Sequence, residues 1–303
     1  MEHSYTYRGI LKASERSNWR IEDLVGGDKR LDFTKRFLPE TLAGVERLGF
    51  LTPDERRVLN QIRGNGYLCM FGLVEEFILP FVMDHARPFL AEDDYRTRAL
   101  LRFACEEAKH IHLFKLFRQE FEAGFGTDCE VIGPPQAIAA EVLKHDPLSV
   151  AIAILHIEWM TQRHYLESVK DDHELDDQFK SLLRNHWMEE AQHAKLDTLM
   201  VLALAEGRSP DGIDRAIEGY LEIGGFLDAG LAGQVELDIA AFERATGRKL
   251  DAEAKAAFSE IQLRAQRWTF LGSGMSHPNL FSTLERILPG AGTRVAEIAR
   301  AFS

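Results

Sequence analysis

The chain has 303 residues, 45% of them hydrophobic and 28% charged, with 10 Pro and 23 Gly, a balance that excludes collagen-like and disordered classes. Forty-eight acidic against 36 basic residues give a formal net charge of -12, which repels phosphate backbones and anionic lipid, so nucleic acid is not an expected partner. The three cysteines, Cys69, Cys105 and Cys129, form no CxxC pattern; neither a disulfide framework nor a thiolate metal site is indicated, and a reducing cytoplasm fits. The N-terminus lacks a basic region followed by an apolar run and no 18-residue uncharged stretch occurs, so a cytoplasmic chain that does not span a membrane is expected.

Apolar residues recur at three and four positions without sustained alternation, which predicts an all-α protein. Thr52-Pro53-Asp54-Glu55 combines an N-cap residue, a proline at the first helical position and a glutamate that completes a capping box, so a first core helix is expected from there to about residue 87. Pro80 falls inside it and predicts a kink near Glu75-Glu76. A second core helix is expected over about 92–124, stopped by Gly124 and Gly126, with a turn at Gly133-Pro134-Pro135. The third starts near Asp146-Pro147 and runs to about 171; the fourth spans about 175–206 and stops at Gly207-Arg208-Ser209-Pro210.

Two further helices are expected over 212–246 and 250–271, then a loop over 272–279 and a short amphipathic end. No Pro-, Gly- or Ser-rich linker intervenes, so one domain over 1–303 is expected, with a core bundle over about 52–206 and a C-terminal helical extension over about 210–303.

Buried polar candidates stand at one place in each core helix: Glu75-Glu76, Glu107-x-x-His110, Glu158 and Glu190-x-x-His193. Side chains three residues apart on a helix are displaced by only about 60°, so each Glu-x-x-His presents a carboxylate and an imidazole on one face. One metal fits each such pair, and the other two helices add bridging or terminal carboxylates. Glu75 precedes Glu107 by 32 residues and Glu158 precedes Glu190 by 32, a duplication that favours Glu75 as ligand, with Glu76 as the alternative. His186 lies four residues before Glu190, where the second helix has Phe103; it adds a third imidazole on the same arc, on the metal served by the fourth helix, and makes the site unsymmetrical. Four carboxylates balance two divalent ions, so the pair can be buried without uncompensated charge. Imidazole and carboxylate donors without thiolate favour iron or manganese.

A metal-free bundle would have to pair those acids with cations, for which Arg102, Lys109, Arg163 and Lys195 are the local candidates. His112, His156 and His164 are expected at the surface or behind the ligands, His277 in a loop, Tyr165 in core packing, and Cys69 and Cys105 as small buried hydrophobes. Aromatic residues near the ligand turns, among them Phe71, Phe103, Phe114 and Trp159, either line a substrate pocket or belong to the core.

On these residues the sequence resembles the ferritin-like di-iron oxygenases, and within them most closely the p-aminobenzoate N-oxygenase family. That family has two repeats in which a glutamate is followed after about 30 residues by acid-Glu-x-x-His, plus one histidine four residues before the last glutamate. The second repeat here ends His186-Trp187-Met188-Glu189-Glu190-Ala191-Gln192-His193, the first Glu106-Glu107-Ala108-Lys109-His110. Where these families often place Asp before the motif glutamate, this chain has Glu106 and Glu189. The likeness covers roughly 52–206. It implies a ferritin-like four-helix bundle with additional N- and C-terminal helices, two iron ions with Mn/Fe as the alternative pair, and metal ligands Glu75, Glu107, His110, Glu158, His186, Glu190 and His193. It also implies O2 as co-substrate, an external electron donor and a small organic substrate, with N-oxygenation of an arylamine as the specific reaction. A ferroxidase or iron-handling protein, and a di-metal hydroxylase or oxidase of a fatty-acid-like substrate, are the rival readings. A homodimer is the default assembly for such a bundle.

Overall fold

The computed structural model describes residues 5–302. Among the described residues there are twelve α-helices: α1 (Tyr7–Ser17), α2 (Glu40–Ala43), α3 (Pro53–Ala86), α4 (Asp94–Phe125), α5 (Pro135–Leu143), α6 (Pro147–His164), α7 (Asp177–Ala205), α8 (Pro210–Thr246), α9 (Ala252–Arg267), α10 (Ser273–Met275), α11 (Pro278–Ile287) and α12 (Ala291–Ala299). The described residues contain no strand, only an isolated bridge between Arg36 and Leu175, so the fold is all-α.

The four long core helices, α3, α4, α6 and α7, begin at their caps. Thr52 and Glu55 close a reciprocal capping box at the start of α3. Asp93 accepts from the amides of Tyr95 and Arg96, Asp146 from Leu148, and Asp176 from Phe179; each carboxylate satisfies amides that the first turn leaves unpaired. Gly126 ends α4 in the left-handed conformation, φ 75°, which glycine adopts at no steric cost. Pro80 sits within α3, which continues to Ala86.

The helices pack in layers. α3 lies against α4 and α6 against α7, and α4 meets α7 across the bundle; α1 covers α4 and α7 on one side, while α8 lies over α3 and α6 on the other. The α8 layer is tied to α3 by a fully buried pair, Arg63 and Asp238, 3.8 Å apart. Of the described helical segments one, Pro53–Phe89, is long and apolar enough to cross a membrane, but 67% of its apolar window is buried. Its hydrophobicity serves the bundle core.

Three expectations change. The third core helix leaves α geometry at His164 and continues as a π-helical turn, Tyr165–Val169. The loop expected over 272–279 is mostly helical: a π turn, Trp268–Gly272, runs directly into α10. Its glycines read as helix breakers, yet a Cβ on Gly274 would lie 2.1 Å from the His156 ring, so this glycine permits close approach of α10 to α6. Cys105 is exposed and Cys69 only partly buried, while Cys129 is buried; Cys105 stands two residues from Glu107, on the solvent side of α4.

Candidate metal centre

Each core helix delivers its acid or imidazole to one place in the middle of the bundle. Glu75 from α3, Glu107 and His110 from α4, Glu158 from α6, and His186, Glu190 and His193 from α7 are each at most 4% exposed. Glu76 is not among them. One residue further along α3 it points to the outer surface, 3.7 Å from Lys115 and 3.5 Å from Gln136.

The inner atoms converge. His110 Nδ1 lies 3.1 Å from Glu190 Oε1 and 3.6 Å from both Glu75 Oε1 and Glu107 Oε2. His193 Nδ1 lies 2.9 Å from Glu107 Oε1 and 3.2 Å from Glu190 Oε2. His186 Nε2 lies 2.8 Å from Glu190 Oε1 and 3.2 Å from Glu75 Oε1. Two groups of four side chains thus offer one donor atom each within 4.8 Å of one another: Glu75, His110, His186 and Glu190, and Glu107, His110, Glu190 and His193. Glu190 and His110 belong to both groups, and His186 stands with Glu75 and not with His193.

The outer nitrogens of two of these rings are held by the acids that precede the motif glutamates, in a crossed pattern. His110 Nε2 of α4 donates to Glu189 Oε2 of α7 at 2.8 Å, and His193 Nε2 of α7 donates to Glu106 Oε2 of α4 at 3.0 Å. A proton committed to Nε2 leaves the Nδ1 lone pair facing the inner carboxylates, the orientation a metal-binding imidazole needs. The longer glutamate arms, in place of the more frequent aspartates, span the gap between the helices.

The local cations neutralise these outer acids and not the inner ones. Lys109 Nζ is 2.5 Å from Glu189, and Arg102 Nε is 3.0 Å from Glu106; Arg163 turns toward Glu167 and the α10 backbone. Among the described residues no lysine or arginine pairs with Glu75, Glu107, Glu158 or Glu190. Glu75 Oε2 and Glu158 Oε2 have no hydrogen-bond partner despite full burial, and both oxygens of Glu107, His110 Nδ1 and Glu190 Oε1 approach other members of the inner set without forming a well-directed hydrogen bond. Unpartnered buried carboxylates cost several kcal/mol each, and this donor set, hard oxygens with imidazole nitrogens, is one that divalent iron or manganese satisfies. The residues therefore fit a paired-metal centre.

Proton affinities carry the same message. Burial opposes charge on His110 and His193, but the carboxylates that surround each ring push both well above the ordinary imidazole range. Burial and then the Glu107 charge raise Glu75; burial and then Glu190 raise Glu158 strongly. Burial works against ionisation of Glu190 too, yet His186 and His193 hold it well below the usual carboxylate value. Protons and metal ions compete for the same inner atoms.

Sequence reasoning missed two contributors. The first is the N-terminal cover: Ser14 of α1 donates to Glu106 at 2.6 Å, and Trp19 stacks on His110 at 5.9 Å and 11° while the Lys109 ammonium sits 3.8 Å above the Trp19 ring. No local motif marks these residues. The second is Asp197, wholly buried, with both carboxylate oxygens unpartnered. It follows His193 by four residues, a helical spacing that would have placed it on the ligand face. The remaining histidines stand apart: His112 is exposed, His156 bonds Tyr220, His164 bridges Tyr67 and Ser273, and His277 stacks on Trp159. Tyr165 stacks on Trp187 in the core.

No protein-family model and no curated protein matches the chain. Solved structures similar to it include a variant of an R2-like ligand-binding oxidase with an aerobically reconstituted Fe/Fe cofactor, at 14% identity over 88% of this chain and 93% of that one, TM-score 0.46. Another variant of an R2-like ligand-binding oxidase, with an anaerobically reconstituted Mn/Fe cofactor, is 13% identical over 89% and 92%, TM-score 0.47.

Proposed function

We propose that the protein is an O2-activating di-iron oxidase or oxygenase of a small organic substrate, with Mn/Fe as the alternative metal pair. The observation that carries this reading is the fully buried set of inner donors with no lysine or arginine paired to it. Glu75, His110, His186 and Glu190 would hold one metal and Glu107, His193 and Glu190 the other, with Glu158 close to the second set. Held there, two iron ions would supply the redox chemistry by which O2, with two electrons and two protons from an external donor, gives one oxygen atom to the substrate and one molecule of water.

The chain's own residues do the rest. Glu189 and Glu106 fix the tautomer and tilt of the ligand imidazoles. A wholly apolar chamber lined by Phe71, Val74, Ile157, Met160, Leu231 and Phe270 adjoins the centre, since Val74 and Ile157 immediately precede Glu75 and Glu158 and the Phe71 ring stands edge-on to His186 at 5.3 Å. Its apolar walls exclude water from this side of the centre, and its free volume of about 20 Å³ is room for no more than a molecule the size of water. The substrate that the motif resemblance implies is a neutral arylamine, which would need this cleft to widen.

The test is anaerobic loading with Fe(II), metal analysis, then a single exposure to O2 with an arylamine present. Two irons per chain and an N-oxygenated product detected by mass spectrometry support the proposal. Metal-free protein after loading refutes it. A large iron-filled assembly favours iron handling, and oxidation of a fatty acid in place of the amine redirects the substrate.

A further inference from the structure

The two halves of the bundle are related by a shift of 83 residues: Glu75 corresponds to Glu158, Glu107 to Glu190 and His110 to His193. Two positions break the correspondence in chemically opposite ways. Phe103 corresponds to His186, and Phe114 corresponds to Asp197. The rings of the α4 half are packing elements: Phe103 lies 4.3 Å from the His193 ring, and Phe114 lies 5.1 Å from that of His186. The α7 half carries polar groups at both, an imidazole at one and a carboxylate at the other.

Asp197 cannot be explained as a structural acid. It is 0% exposed, neither oxygen has a hydrogen-bond partner, and no lysine or arginine among the described residues pairs with it. The charged groups around it are His193, Glu107, Glu190 and Glu158, all members of the inner set. A phenylalanine, as at its counterpart, would fill the space without the cost of burying an unpaired carboxylate.

Building on the two-metal reading above, we propose that Asp197 is a cation-holding carboxylate of the metal position served by Glu107 and His193. The two positions then differ in kind. One set of donors has His186 and Glu75, the other His193 and Glu107, with His110 and Glu190 common to both; Glu158 and Asp197 stand close to the second set and outside its four donors. Nitrogen donors favour later divalent metals, while a carboxylate-rich set suits harder ions, so the two positions load with unequal affinity, and Asp197 governs one of them.

The experiment is anaerobic titration of the metal-free full-length protein with Fe(II), and separately with Mn(II), followed by calorimetry and by metal analysis after desalting. Wild type is compared with Asp197→Asn, which keeps the shape, and Asp197→Leu, an apolar replacement for use if the amide does not fold. The expected result is two equivalents in wild type and a loss of at least about tenfold in affinity for one equivalent in the variant, the other equivalent unchanged. The metal-free variant should also melt higher than metal-free wild type, because the unpaired carboxylate is gone. A variant that binds both equivalents as wild type does overturns the role of Asp197 and leaves the two-metal reading standing. Wild type that binds no metal overturns both.

Discussion

Glu189→Gln tests how the imidazoles are positioned without touching a ligand. The carboxylate is 0% exposed and has two partners on two helices: Oε2 accepts from His110 Nε2 at 2.8 Å and Oε1 from Lys109 Nζ at 2.5 Å. An amide of the same shape has one acceptor. If it serves His110, its NH2 faces the Lys109 ammonium, donor against donor; if it serves Lys109, His110 is forced to present a lone pair outward and a proton toward the metal. Loss of such a partner typically weakens metal binding by about 10- to 100-fold, equal to about 1.4–2.7 kcal/mol. Breaking a buried ion pair can cost about 3–5 kcal/mol in stability, but the Lys109 side chain is 17% exposed and stacked over Trp19, so it can turn to solvent and the loss should fall at or below the low end. Anaerobic calorimetric titration with Fe(II) reads the affinity, and thermal melting of the metal-free protein reads the stability separately. The weakening should concentrate on the position that His110 serves. If the variant binds both equivalents with wild-type affinity, the crossed Glu189–His110 bond does not orient the ligand and the reasoning fails.

Glu75→Gln should abolish or strongly weaken binding of one metal equivalent, whereas Glu76→Gln, altered at the Lys115 contact, should retain both; metal analysis of the two side by side decides, and the reverse pattern would make Glu76 the ligand. His164 is buried between Tyr67 and Ser273, and burial lowers it to about 3. It is neutral in the fold but takes a proton in the unfolded chain below pH about 6.5, so its contribution to stability is full above that pH and falls as pH drops toward 3, by at most about 1.4 kcal/mol per pH unit. Denaturant melts of metal-free wild type and His164→Gln at pH 7 and pH 5 should differ in pH slope, the variant being less acid-sensitive; equal slopes would show that His164 titrates normally. Gly274→Ala places a methyl 2.1 Å from the His156 ring and should destabilise the protein by about 1–3 kcal/mol through overpacking, visible as a lower melting temperature. An unchanged melting temperature would mean that α10 moves away from α6 without cost.

The features that could be read from sequence are those whose physics is local. The caps at Thr52, Asp93, Asp146 and Asp176 each satisfy amides two or three residues away, and the Glu-x-x-His spacing fixes two side chains on one turn, so both appear in short stretches of text. A count of 32 residues repeated in the second half favoured Glu75 over Glu76, and it is Glu75 that lies in the buried donor set. What could not be read depends on contacts distant along the chain. Ser14 meets Glu106 and Trp19 meets His110 only after α1 has docked on α4 and α7. The glycines of 272–274 were misread for the same reason: in isolation glycine lowers helix propensity, but against His156 its missing Cβ is what lets the helix pack. Asp197 was overlooked because it belongs to no motif; only its burial without a partner distinguishes it from an ordinary surface aspartate.

The acidity of the chain acquires a location from this arrangement. Of the 48 acidic residues, Glu106 and Glu189 are buried beside the centre but have their own cations, Arg102 and Lys109. Glu75, Glu107, Glu158, Glu190 and Asp197 are buried without any. Two divalent ions cancel four of these five charges. With Asp197 ionised the loaded centre keeps one negative charge in a low-dielectric interior, where such a surplus is far more consequential than at the surface. That surplus stabilises a metal pair of higher total charge over the divalent pair. Phe114, at the corresponding place in the other half, supplies no such charge, so the bias falls on the Glu107–His193 position. The two halves repeat their Glu and Glu-x-x-His positions at a shift of 83 residues, and they differ where His186 and Asp197 stand opposite Phe103 and Phe114.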